Sequence, residues 1–323
     1  MFTRIRCALK REILKYPSVY NSIHRFHAFI LAKLLAVRWP VHKIFTRFNR
    51  NGLNKTEHRT PRIIVSLTSY PARINLVPYV IAELLEQTMK PDKIILWLGE
   101  GKFPGNELPP IFSKVRACGV DIEFREDIGP HTKYFYAVKE YPDDIVITFD
   151  DDHIYDRHII ETLYRSYKKH PECVSAMLCV KYSFSEDNSE CYADLWETAW
   201  NTAGEPSFQY QAEGVGGVLY PPHSIHEEVF NLEAIKRLSP KADDIWLKFM
   251  EVINGTKVVP ARFIPKFYGK IIMGWCIPSS QATALVATNR NGANDKQMRA
   301  VTEAYNNWFN DGRTLLSIMN EGK

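Results

Sequence analysis

The run Ile145-Val146-Ile147-Thr148-Phe149, followed at once by Asp150-Asp151-Asp152, constrains this chain more than any other feature. The run is apolar but for one threonine, and it reads as a buried strand. Three carboxylates directly after such a strand are costly to hold together without a counter-ion, a basic partner or solvent. In an open α/β sheet the carboxyl end of a strand is the usual ligand side. A divalent cation bridging Asp150 and Asp152 to a diphosphate satisfies both arguments, and Mg²⁺ or Mn²⁺ suits such oxygen ligands. The plainer reading is a solvated turn that caps the next helix. An EF-hand is excluded, because its glycine and terminal glutamate are missing.

The surrounding chain supports an α/β sheet. Pro61 introduces the β-rich run Arg62–Tyr70, and the stretch around Val77–Leu85 has helical periodicity. Further strands are expected at Lys93–Leu98, Val120–Arg125 and Val174–Val180, with helices at His131–Glu140 and Arg157–Lys169. Later helices are expected at Ile225–Leu238, Asp243–Ile253 and Asp295–Phe309. This alternation predicts one catalytic domain over 61–270, a basic extension and linker over 1–60, and a helical extension over 271–323.

Charge is distributed unevenly. Residues 1–60 hold 13 Lys and Arg against Glu12 and Glu57, whereas the remainder holds 28 basic and 35 acidic groups. Phe26, Phe29, Ile30, Leu34 and Val37 recur at helical spacing among Arg25, Lys33 and Arg38, and Trp39, Phe45 and Phe48 extend the aromatic-basic mixture past Pro40. Such a helix either lies on an anionic membrane surface or packs against the catalytic domain. The spacing favours these over a nucleic-acid partner. No apolar stretch approaches the roughly 20 residues needed to span a bilayer. The six cysteines form no CxxC pair, which fits a reduced, cytoplasmic setting, while their even number leaves disulfides open. The basic extension adds a peripheral place on the cytoplasmic face of a membrane to that expectation.

Three segments in order, Val65–Pro71, Leu84–Ile95 and the aspartate cluster, make the chain resemble family-2-like glycosyltransferases with the GT-A fold, over roughly residues 61–160. The resemblance implies an α/β GT-A nucleotide-sugar-binding fold, with a mixed central sheet and terminal helical elements. It implies a nucleotide diphosphate sugar, in the first instance a UDP-sugar, as donor, and a carbohydrate or lipid-linked glycan as acceptor. Asp150 and Asp152 become the metal-side pair, and Asp151 lies nearer ribose or sugar. Ser69 and Tyr70 match the first nucleotide-facing loop, with Tyr70 beside the base and Arg73 near phosphate, or both merely stabilising the turn. One departure stands at Leu98-Gly99-Glu100-Gly101, where relatives end the second strand in an acidic turn.

Asp127-Ile128-Gly129-Pro130-His131-Thr132-Lys133 forms a second donor loop on this reading. Asp127 would orient base or ribose, and Lys133 would sit near phosphate; surface capping is the alternative. Asp243-Asp244-Ile245-Trp246-Leu247 resembles the acidic element of inverting relatives, which implies Asp244 as general base. Asp243 alone reads as a helix cap. Gly214–Pro222 resembles the strand and loop beside the donor sugar, and its glycines equally suit a hairpin. Trp196, Trp200, Phe208, Tyr210, Trp246 and Trp275 are candidate sugar platforms or core residues. His153, His158, His223 and His226 lack a zinc pattern. The competing readings are a haloacid-dehalogenase-like phosphotransfer enzyme and a noncatalytic carbohydrate-binding protein.

Overall fold

The computed structural model describes residues 33–182, 205–261, 275–283 and 292–320. The strands, in chain order, are β1 (Ile63–Ser69), β2 (Lys93–Gly99), β3 (Asp121–Arg125), β4 (Ile145–Thr148), β5 (His153–Ile154) and β6 (Val174–Ala176). They continue as β7 (Cys179–Lys181), β8 (Tyr210–Ala212), β9 (Val218–Tyr220), β10 (Val258–Pro260) and β11 (Trp275–Cys276). Seven of them form one mixed sheet in the order β10-β6-β9-β4-β1-β2-β3. β1 is parallel to β2 and β4, β2 to β3, and β6 to β10, whereas β9 runs antiparallel to both β4 and β6. The chain is therefore α/β, as its alternating pattern predicts, and its central sheet is mixed, as the resemblance implies.

The central strands are buried along nearly their whole length, because helices cover both faces. On one side Val77, Val80, Ile81 and Leu84 of the Val77–Leu84 helix meet Val65, Leu67, Leu96 and Ile147. On the other, the Asp243–Ile253 helix packs Ile245, Trp246, Phe249 and Met250 against Val174, Val218 and Val258. Met298, Val301, Leu315 and Ile318 of the C-terminal helices Asn294–Ala304 and Leu315–Asn320 join that second core.

Two of the expected elements are each split in two. Val174–Val180 is not one strand: β6 belongs to the large sheet and β7 pairs with β8, so the chain changes sheets at Met177-Leu178. Ile225–Leu238 is a 3₁₀ turn, Glu227–Phe230, followed by the helix Leu232–Leu238. Asn231 accepts from Ala234 N and so starts a new helix where periodicity alone continued the old one. Helix 33–45 runs through Pro40, which costs it one backbone donor and leaves the ring exposed. Phe26, Phe29 and Ile30 lie outside the described residues. Among the described residues no helix is long and apolar enough to cross a membrane.

One buried pair stands out for stability. Lys248 and Glu251 lie on the inner face of the Asp243–Ile253 helix, 3.9 Å apart, with neither Lys248 Nζ nor Glu251 Oε2 hydrogen-bonded. Burial pulls the Lys248 ammonium down to about 8 and pushes the Glu251 carboxyl up to about 7. At that separation desolvation outweighs attraction. Urea unfolding at pH 8 is expected to show Lys248→Met alone losing about 3 kcal/mol, whereas Lys248→Met with Glu251→Leu is neutral or more stable than the parent.

Candidate functional site

The topology brings distant segments to one edge. β1 and β4 are parallel, so Ser69 and Asp150 emerge on the same side of the sheet. β9 returns antiparallel to β4, so the turn Gly214–Gly217 that precedes it arrives at that edge too. Gly217 adopts φ +87, and a Cβ there would overlap the Phe149 ring, so this approach requires glycine. The Asp243–Ile253 helix begins nearby, with Asp243 and Asp244 in its first turn.

Arg73 organises one half of the site. Its Nη1 donates to Asp151 Oδ1 at 3.0 Å and pairs with Asp152 Oδ2 at 3.0 Å, while Nη2 donates to the Ser280 carbonyl. Ser69 Oγ donates to the other oxygen of Asp151 at 2.6 Å. Burial pushes the Asp151 carboxyl up to about 6, with Arg73 and Ser69 pulling the other way. Tyr70 lies outside this group, exposed, with the Arg73 guanidinium 5.6 Å from its ring centroid.

Lys133 organises the other half. It projects from the first turn of the Thr132–Glu140 helix, donates to Asp150 Oδ1 at 3.0 Å and pairs with Asp243 Oδ2 at 2.7 Å. Burial works against its charge, but Asp150, Asp243 and Asp244 outweigh that and hold the ammonium well above the ordinary lysine range. Gly214 N donates to Asp244 Oδ1 at 3.2 Å. A Cβ on Gly214 would overlap the Lys133 ammonium and press on that same oxygen. Asp243 is buried, whereas Asp244 keeps an accessible edge. Burial and the neighbouring Asp243 push the Asp244 carboxyl well above the usual carboxylate range.

Sequence reasoning missed three participants. Tyr155 accepts from Asp150 N at 2.9 Å and donates to the Val215 carbonyl, joining the acidic turn to the glycine turn. Glu213 is buried, and its Oε1 accepts from Gln211 Nε2 at 2.9 Å. His131 bridges Tyr134 and the Ser239 carbonyl, and its burial lowers its pKa, so it acts as a neutral strut behind the loop. The short glycine-rich approach to β9 was the available signal for Glu213; nothing local marked Tyr155 or His131.

The cluster thus holds six carboxylates, on Asp150, Asp151, Asp152, Glu213, Asp243 and Asp244, against Arg73 and Lys133. Burial pushes Glu213 up to about 7, with Asp243 and Asp150 adding to the effect. Its ordinary value is 4.5. A carboxyl raised by folding favours the native state below its unfolded pKa and loses that contribution as pH climbs through the folded value. Unfolding free energy is therefore expected to fall between pH 5 and pH 8 by on the order of 3 kcal/mol more in the native protein than in Glu213→Gln. Urea titrations at the two pH values measure this. A flat difference between the two proteins would refute it.

Asp150 and Asp152 fit a divalent cation in chemistry. Burial and the neighbouring Asp150 both push the Asp152 carboxyl up, against the pull of Arg73, so the pair retains repulsion that a hard cation would relieve. Among the described residues no group of three or more His, Cys, Asp or Glu forms a metal cage.

Other candidates fall elsewhere. Asp127 shares the strand-end edge but accepts from Gly129 N and pairs with Lys102 at 3.0 Å, as a turn cap does. Trp246 is wholly buried in the core, donating to the Val229 carbonyl, and Trp275 packs edge-on against Trp39. Trp196 and Trp200 lie outside the described residues.

No protein-family model and no curated protein matches the chain. Among solved structures it is similar to the mannosyltransferase PcManGT from Pyrobaculum calidifontis in complex with GDP-Man and Mn²⁺, at 14% identity over 85% of each chain with TM-score 0.37. It is similar also to S. aureus TarS 1-349, at 12% identity over 62% of this chain and 58% of that one, TM-score 0.38. A third likeness is to a CMP:2-keto-3-deoxy-manno-octonic acid synthetase complexed with CTP, at 12% identity over 61% and 88%, TM-score 0.37. With similarity this low, the fold rests on the sheet topology itself.

Proposed function

We propose that this chain is a metal-dependent inverting glycosyltransferase that moves a sugar from a nucleotide diphosphate donor to a carbohydrate or lipid-linked glycan. One observation carries the reading: the single ammonium of Lys133 lies between Asp150, on the metal side, and Asp243, next to the base candidate Asp244. A diphosphate site and a proton acceptor are thereby held together at the strand ends, where open α/β sheets bind ligands.

A divalent cation held by Asp150 and Asp152 would offset the charge of the departing diphosphate. Asp244 accepts the proton of the acceptor hydroxyl as its oxygen bonds to the anomeric carbon and the bond from that carbon to the diphosphate breaks. The proton leaves with Asp244 and the electron pair with the diphosphate. Gly214 N orients the carboxylate, and Lys133 with Asp243 holds its surroundings rigid. A single displacement of this kind inverts the anomeric centre.

The test is a panel of nucleotide sugars and acceptors with and without Mn²⁺, read by released nucleotide diphosphate, beginning with UDP-sugars. Metal-dependent turnover that Asp152→Ala abolishes supports the reading. No donor binding across the panel, or hydrolysis of simple phosphomonoesters instead, would sink it.

A further inference from the structure

The helix 33–45 presents two opposed faces. Trp39 is buried against Tyr79 at 5.2 Å and Trp275 at 6.0 Å between ring centroids, and His42 Nε2 lies 3.5 Å from Glu83. That face fastens the helix to the α/β body. Around the helix from it stand Leu34, Val37, Val41, Ile44 and Phe45, at 62%, 70%, 48%, 76% and 75% exposure. These are five of the seven large hydrophobic side chains exposed among the described residues. At roughly 100° per residue they form one stripe about 100° wide, with Lys33 on one flank and Arg38 on the other.

Five large apolar side chains in one exposed stripe mark an interaction surface. Charge identifies the occupant. No Asp or Glu occurs between Glu12 and Glu57, whereas Lys15, Arg25, Lys33, Arg38, Lys43, Arg47, Arg50 and Lys55 do. A second copy would set these like charges against one another across the contact. An anionic lipid surface takes both components, burying the apolar stripe at the acyl boundary and pairing the flanking cations with headgroup phosphates. We propose that helix 33–45 docks the protein flat on an anionic membrane through Leu34, Val37, Val41, Ile44 and Phe45.

The fastening on the opposite face gives this docking a consequence. Trp275, which receives Trp39, pairs in β11 with Ile154 of β5, two residues beyond Asp152. The docked helix is therefore linked, through Trp39, Trp275 and β5, to the chain that leaves the acidic cluster. The inference does not depend on the proposed chemistry, and it fails or stands separately.

Flotation of the full chain with vesicles of phosphatidylcholine, with and without phosphatidylglycerol, tests it. The protein is expected to float with the anionic vesicles and to remain below with neutral ones. Ile44→Asp with Phe45→Asp should reduce the bound fraction more than about tenfold, and Lys33→Gln with Arg38→Gln by about fivefold per charge removed. Ile44 and Phe45 are exposed, so thermal unfolding should be unchanged in that variant. Arg38 also stands over the Trp275 ring at 4.9 Å, so the charge variant is compared at a temperature where both proteins are fully folded. Failure of the native chain to float with anionic vesicles would overturn the proposal. So would undiminished flotation of the Ile44/Phe45 variant, or a concentration-dependent dimer that this variant abolishes.

Discussion

Replacing Asp244 by Asn is expected to lower the rate of sugar transfer by about 10²–10⁴-fold while leaving donor affinity nearly unchanged. The amide keeps the shape, and its carbonyl oxygen can still accept from Gly214 N, so the glycine turn stays in place. What is lost is the capacity to take a proton. On the proposed reading the donor is held instead by Asp150, Asp151, Asp152 and Arg73, so calorimetry with the donor separates the two roles. The pH profile adds a second readout. Burial, Asp243 and Glu213 raise the Asp244 carboxyl, so transfer should fall as pH drops through a value well above the usual carboxylate range. Glu213→Gln removes one negative neighbour and should move that acid limb to lower pH. If Asp244→Asn retains native turnover, the base lies elsewhere.

Lys133→Met is expected to be the most disruptive single change in the site. Lys133 is the shared cation among Asp150, Asp243, Asp244 and Glu213, and breaking a buried charge network by removing one partner costs about 3–5 kcal/mol. The loss should be greater at pH 8 than at pH 5, because Glu213, raised to about 7, is ionised only at the higher value. Lys133→Arg should not rescue it, since Gly214 already lies against the ammonium and leaves no room for a guanidinium. Urea unfolding at both pH values measures the cost. A Lys133→Met protein as stable as the parent at pH 8 would show that the cluster is not held by this residue.

Much of the sheet was legible because its central strands are simple physical objects. Ile63–Ser69, Lys93–Gly99 and Ile145–Thr148 are apolar runs between prolines, glycines and acidic turns, and each appears within a residue or two of its expected place. Helix Asp243–Ile253 was equally plain, with an acidic first turn and an apolar face. Ambiguity remained where a local signal had two outcomes. Trp246 was open between sugar platform and core residue, and it lies in the core. Met177-Leu178 interrupts no hydrophobic pattern, yet the chain leaves one sheet for another there.

The aspartate cluster shows where the boundary lies. Its adjacency to an apolar strand is a covalent fact, so the sequence by itself established three carboxylates at a strand end and their need for positive charge. Which cations answer that need is a matter of folding. Arg73 reaches Asp151 across 78 residues, and Lys133 meets Asp243 from another helix, while Glu213 arrives on an antiparallel return. Contacts between segments so far apart depend on strand order and direction, which only the tertiary structure decides. The amphipathic spacing of the first helix was likewise visible in the chain. Only packing decided that Trp39 faces the protein and that the Leu34–Phe45 stripe faces outward.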